Sequence, residues 1–257
     1  MGVVQIAELM ERNIPYQTDQ LARHFVHNRV AWEQFYESER VVIEGLQLDS
    51  SRKILDIGCG CGGLGLALRA RFGVQTYTGV EINPLAADAG RSLNPGARIL
   101  CGDILDLRQG ELREHQFDVV FSLSCVDWNV RFDETLAAAW SFVAPGGSLA
   151  ATFRLTEGEG CDDIARSYQY INFEGKCEGE RASYVVNGAR ELMQKLESFR
   201  PSEIAAYGYW GAPSATAVTP YEQLCFAAFS IRKRVDSATS CRIELRLPER
   251  IRKRMEA

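Results

Sequence analysis

Lys53-Ile54-Leu55-Asp56-Ile57-Gly58-Cys59-Gly60-Cys61-Gly62-Gly63 carries the strongest signal in the chain. Lys53–Ile57 is a short apolar strand that runs directly into a glycine-rich turn. A helix follows from Leu64 to Arg71, with Gly73 as its left-handed stop. Glycines at a strand-to-helix turn admit positive φ and let the backbone come close to a ligand. The helix behind them offers unpaired amides and a positive dipole end. Gly58, Gly60 and Gly63 satisfy G-x-G-x-x-G, which taken alone also fits NAD. A glycine turn that holds no ligand is the plainer alternative.

Outward from this turn the chain alternates strands and helices. Strands are expected at Gln75–Glu81, Ala97–Cys101, Phe117–Leu123, Ser148–Phe153, Glu203–Trp210 and Gln223–Ile231. Asn83 caps a helix that starts at Pro84, another helix spans roughly 132–142 ahead of Pro145-Gly146-Gly147, and Asn187 caps one ending near Phe199. With Lys53–Ile57 this makes an α/β fold, a doubly wound seven-stranded mostly parallel sheet. Ligands in such sheets sit beyond the carboxyl ends of the strands, where the winding reverses. Upstream, Leu21, Phe25, Trp32, Phe35, Val42 and Leu46 form one apolar stripe, which predicts a single long helix over 18–47. A shorter helix over 3–12 precedes it. The expected organisation is an N-terminal helical lid over 1–50 and a domain over 51–257, interrupted by a polar, aromatic insertion at 156–186. Cys241, Ile243, Leu245 and Leu247 alternate with charged residues, which predicts an extra strand or an edge that pairs with a partner, such as a homodimer.

Asp56, two residues before the first glycine, weighs against a pyrophosphate and suits a cationic ammonium group. The stretch Lys53–Gly62 closely resembles the first motif of class I S-adenosylmethionine-dependent methyltransferases, and the resemblance extends over roughly 53–155. It implies S-adenosylmethionine as cofactor and S-adenosylhomocysteine as product. By the same resemblance Asp56, Gly58, Cys59 and Gly60 belong to the cofactor loop, and Glu81 accepts hydrogen bonds from the ribose hydroxyls. Ile82 packs on adenine, Asp103 receives its amino group with Ile104 beside the ring, and Ser122 and Ser124 meet the methionine part. Structural alternatives exist for two of the acids: Asp56 as a turn cap and Asp103 as a helix N-cap.

Asp127-Trp128 follows strand four, where acceptors meet the donor in this family. Asp127 is a candidate to take a proton, with Trp128 walling the pocket; a loop cap and a core aromatic are the alternatives. His27, near His24 on the N-terminal helix, has the ordinary pKa of a base near neutrality. Tyr168 and Tyr170 in the insertion are further pocket candidates. Cys125 lacks the preceding proline of carbon-5 base methylation, and the Asn/Asp-Pro-Pro-aromatic motif for nucleobase amines is missing. With a net charge of −5 over 257 residues, this argues against nucleic acid. Eight cysteines without a Cys-x-x-Cys pair and only three histidines predict no metal site. Neither a signal peptide at Met1–Arg12 nor an apolar run long enough for a membrane is visible, so a cytoplasmic protein is expected. Methylation of an oxygen or nitrogen of a small metabolite, a sugar or natural-product intermediate, is the favoured function. RNA or protein methylation and a non-catalytic nucleotide-binding module stay open.

Overall fold

The computed structural model describes residues 13–235 and 240–256. The helix expected over 3–12 lies outside them. In chain order the helices are α1 (Gln20–Phe25), α2 (Glu37–Gly45), α3 (Gly63–Phe72), α4 (Pro84–Leu93), α5 (Ile104–Leu107), α6 (Phe132–Ser141), α7 (Ala189–Ser198) and α8 (Glu249–Met255). The strands of the main sheet are β1 (Lys53–Ile57), β2 (Thr76–Glu81), β3 (Arg98–Cys101), β4 (Phe117–Ser122), β5 (Val143–Thr156), β8 (Asn187–Gly188), β9 (Glu203–Gly211), β11 (Leu224–Arg232) and β12 (Arg242–Arg246). Between them, β6 (Tyr168–Tyr170), β7 (Arg181–Ser183) and β10 (Ala217–Val218) form a separate small sheet.

The main sheet runs β12-β9-β11-β5-β4-β1-β2-β3, with β8 paired to the end of β5. Among the described strands of this sheet, only β11 is antiparallel to both of its neighbours. The seven expected strands are all present, and β12 and β8 raise the count to nine. Winding proceeds one way from β1 to β3 and the other way from β4, so the switch point lies between β1 and β4. The glycine loop after β1 and the turn after β4 therefore stand side by side. Apolar layers cover both faces. Leu55, Val120 and Leu149 face one layer with α6 and α7, whereas Ile54, Phe121 and Ala150 face the other with α3 and the N-terminal segment.

Three expectations need correcting. Strand five begins at Val143 rather than Ser148, because β5 continues through Pro145-Gly146-Gly147 as a bulge. Phe117 pairs with Val143, yet Val119 already pairs with Ser148. Asn187 belongs to β8, opposite Leu155, and Gly188 is the cap position of α7 instead. The insertion, which shows no period in sequence, is an antiparallel sheet whose third strand, β10, comes from the β9–β11 connection.

The single helix over 18–47 is the largest departure. The chain forms α1, turns at Arg29 (φ 61°), makes a short 3-10 turn at Trp32–Gln34 and restarts at α2. The reason is an ion pair. Arg29 donates both guanidinium N–H groups to Glu39 at 3.0 and 2.9 Å, and the Tyr36 amide donates to the same carboxylate at 3.0 Å. In a continuous helix Arg29 and Glu39 would stand about 15 Å apart along the axis. The break also seats Trp32 against Phe72 of α3, with ring centroids 5.3 Å apart. Because Glu39 is fully buried, removing it strands a guanidinium. Glu39→Ala is expected to lower stability by about 3 kcal/mol, read from urea denaturation, and to open residues 16–36 to limited proteolysis.

Candidate active site

The glycine loop is closed by its own hydrogen bonds. Gly58 and Cys59 both donate their amides to the Val80 carbonyl, at 2.8 and 3.0 Å, and Gly62 donates to the Cys59 carbonyl at 2.8 Å. Gly60 donates instead to the Glu81 carboxylate at 2.8 Å, and Asn83 donates to that group's other oxygen at 2.8 Å. The loop is thus locked to the end of β2, with a carboxylate where a phosphate-binding turn would leave amides free. Burial pushes the Glu81 carboxyl up, while the amides of Asn83, Gly60 and Ile82 pull it down.

Gly58 (φ +74°) has no room for a side chain, since a Cβ there would run into the Cys125 side chain. The Cys125 thiol is driven far above its ordinary pKa by burial and by Glu81, so it stays a neutral thiol and a poor nucleophile. Over Gly60 lies the Phe25 ring, 3.4 Å from where a Cβ would stand. Asp56 sits at the end of β1 and accepts a 2.5 Å hydrogen bond from the Tyr77 hydroxyl. Burial raises its carboxyl to about 7, against the pull of Tyr77 and Arg29. Cys59 is buried behind the loop and Ile82 is half-buried beside Glu81.

Asp103 is the N-cap of α5, accepting from the Leu105 amide at 2.9 Å and from Asn13 at 3.2 Å, both on Oδ1. Ile104 behind it is buried. Ser122, at the end of β4, accepts the Val126 amide through its hydroxyl. Ser124 is exposed, left-handed (φ 50°), and donates its amide to Thr152.

Beyond β4 the chain makes a 3-10 turn over Val126–Trp128. Asp127, 3% exposed, forms an ion pair through Oδ2 with Arg154 at 3.0 Å. Arg154, 5% exposed, also donates to the Asp127 carbonyl and lies over the rings of Tyr184 (3.7 Å) and Trp128 (5.0 Å). Burial lifts the Asp127 carboxyl to about 6, and Arg154 holds it from rising further. Its other oxygen, Oδ1, and the indole nitrogen of Trp128 are both buried without a hydrogen-bond partner. Arg154 and Tyr184 are not among the residues singled out from the sequence. An arginine inside the apolar run Leu149–Leu155 is the signal that points to the first.

A strap from the N-terminus crosses this region. Tyr16 donates its hydroxyl to the Trp128 carbonyl at 3.2 Å, and the carbonyls of Tyr16 and Thr18 accept from Asn83. The insertion meets the strap: Glu180 accepts the amides of Gln17 and Thr18, and His24 stacks on Phe173 with centroids 3.6 Å apart. His27 is exposed and stands outside these contacts, whereas Tyr168 and Tyr170 pack edge to face on each other in the small sheet.

Residues 54–147 match the family described as a methyltransferase domain. Together with the sheet order and its one reversed strand, this decides the class. Residues 54–147 are a class I methyltransferase domain. A segment of the biotin biosynthesis bifunctional protein BioCD of Bordetella avium is 32% identical over 145 residues, covering 55% of this chain and 30% of that protein. Trans-aconitate 2-methyltransferase of Deinococcus radiodurans is 31% identical over 99 residues, 38% of this chain and 36% of that one. The chain thus spans about a third of the length of these two relatives. Among solved structures, the 1,6-didemethyltoxoflavin-N1-methyltransferase of Burkholderia thailandensis, with S-adenosylhomocysteine bound, shares the fold. Its TM-score is 0.52 at 17% identity, over 77% of this chain and 76% of that one. In this methyltransferase domain, no described helix is long and apolar enough to cross a membrane.

The buried acids set a pH dependence. Asp56 has a folded pKa raised from 3.8 to about 7, so between those values the folded protein holds a proton that the unfolded chain releases. Its contribution to stability is full at low pH and is lost as pH rises through about 7. Asp56→Asn is expected to flatten this fall, by a few kcal/mol at most, when urea midpoints at pH 5 and pH 8 are compared.

Proposed function

We propose that this chain transfers a methyl group from S-adenosylmethionine to an oxygen or nitrogen of a small molecule, a sugar or natural-product intermediate, in the cytoplasm. The observation that carries this is the bond from the Gly60 amide to the Glu81 carboxylate. A dinucleotide would bring a pyrophosphate to a loop in which the amides of Gly58, Cys59, Gly60 and Gly62 are already taken and a carboxylate stands against Gly60. A donor without phosphates meets no such conflict. Each Glu81 oxygen retains a lone pair beyond its backbone bond, enough to accept a ribose hydroxyl. Asp103 would take the adenine amine, Ile82 and Ile104 would flank the ring, and Asp56, Gly58, Cys59, Ser122 and Ser124 would surround the methionine part. The sulfonium supplies an already activated methyl group, so the protein's task is alignment and exclusion of water.

The strap at Tyr16–Phe25 and the insertion supply that exclusion in this reading, as the lid over the loop. Two relatives support a small acceptor: by name one acts on trans-aconitate, and another is a phosphoethanolamine N-methyltransferase from Plasmodium falciparum. A homodimer paired along β12, where Ile243 is exposed, belongs to the same proposal.

Calorimetric titration with S-adenosylhomocysteine, run beside NAD, is the test. Binding of the first alone is expected; binding of NAD alone would move the protein to another enzyme class. Glu81→Ala should weaken S-adenosylhomocysteine by roughly tenfold or more, as expected for the loss of hydrogen bonds to a charged group. Unchanged affinity in a folded variant removes the ribose assignment.

A further inference from the structure

We infer that the methyl acceptor presents a hydroxyl group to Asp127 and Trp128, which makes the reaction an O-methylation. The inference rests on the methyltransferase reading and narrows its acceptor. Asp127 Oδ1 is a buried acceptor with no donor, and Trp128 Nε1 is a buried donor with no acceptor. The two belong to consecutive residues, and Arg154 gathers them: it is 3.0 Å from Asp127 Oδ2 and 5.0 Å from the centre of the Trp128 ring. Groups this deeply buried are almost always paired, and a catalytic role is one reason for an exception. Of the unpaired buried side-chain atoms in the described residues, only these two fall on neighbouring residues of the turn past β4. They lie just past β4 at the switch point of the sheet, two residues from the Cys125 sulfur that overhangs Gly58.

The chemistry of the pair selects among acceptors by counting protons and lone pairs. A hydroxyl gives its proton to Asp127 Oδ1, accepts the Trp128 N–H on one lone pair and keeps the other for attack. A neutral amine has a single lone pair, which the indole N–H would occupy. A carboxylate has no proton to give and meets the like charge of Asp127, while Arg154 is already committed to that residue. As the hydroxyl oxygen forms its bond to the methyl carbon, the carbon–sulfur bond breaks and its electron pair stays on sulfur, giving the neutral thioether. The hydroxyl proton passes to Asp127 Oδ1 and from there to solvent. A carboxyl held near 6 is ionised at neutral pH and ready for that proton. Arg154 is the positioning residue, since it fixes Oδ2 and leaves Oδ1 to the acceptor.

The chain has four tryptophans, so a 15N-indole spectrum has four N–H signals, and Trp128→Phe identifies the one that matters. The protein saturated with S-adenosylhomocysteine is titrated with methanol, methylammonium and formate, probes too small to be excluded on size. Methanol is expected to move the Trp128 signal while the other two leave it in place. Asp127→Asn should weaken the methanol response about tenfold with the other three indole signals unmoved; Asp127→Glu serves if that variant does not fold. A larger response to formate or methylammonium, no response to any probe, or a methanol response indifferent to Asp127 overturns the inference. If S-adenosylhomocysteine itself disturbs nothing, the donor reading fails instead, and the same probes on the protein alone still decide the hydroxyl.

Discussion

Everything at the carboxyl end of the sheet depends on one constraint: the glycine loop must be held shut against β2 by the backbone of Val80 and the side chain of Glu81. Those hydrogen bonds fix the path of the loop between β1 and α3. Its glycines then let two other parts of the chain approach, the Cys125 turn over Gly58 and the Phe25 ring over Gly60. The turn at Arg29 comes closer still, since a side chain on Gly63 would run into the Arg29 carbonyl oxygen. The tight packing of loop, strap and turn follows from residues that have no side chain to spare.

The same region concentrates buried charge. Asp56, Glu81, Glu39 and Asp127 are all buried, against the guanidinium groups of Arg29 and Arg154. The acids feel one another: Glu81 and Glu39 push the Asp56 carboxyl up, and Glu39 does the same to Asp127. Such an arrangement costs folding free energy, because a charge taken out of water is repaid only by close partners. It also makes the surroundings responsive to an added positive group, since low polarisability strengthens each remaining interaction.

What could be read from the sequence was local. The glycine turn, the Asn83 cap with Pro84 behind it, and the apolar strands each carry their own signal within a few residues, and all are present, with the start of strand five displaced. What failed was non-local. The stripe from Leu21 to Leu46 has good helical spacing, and nothing in it reveals that Arg29 must fold back onto Glu39. Pro145-Gly146-Gly147 looks like a strand boundary because a bulge has no signature separate from a turn. Asn187 has the right chemistry for a cap, but its backbone is claimed by Leu155 of β5. Among the candidate site residues, Asp56, Glu81 and Asp103 can be picked out because each stands at or just past the end of a strand. Arg154 and Tyr184 carry no local signal, because they meet across thirty residues of chain, and His27, whose chemistry suits a base, is exposed in the fold.

The small sheet is assembled in an unobvious way. Its strands β6 and β7 come from the insertion, but β10 comes from the connection between β9 and β11, and Gln169 reaches Ser214 and Thr216 across that junction. The small sheet is therefore discontinuous in sequence, two segments that pair as one. Recombination that exchanges only the first segment would leave an unpaired edge and orphaned hydroxyls. Change in one segment should then require matching change in the other, a covariation that neither stretch alone would suggest.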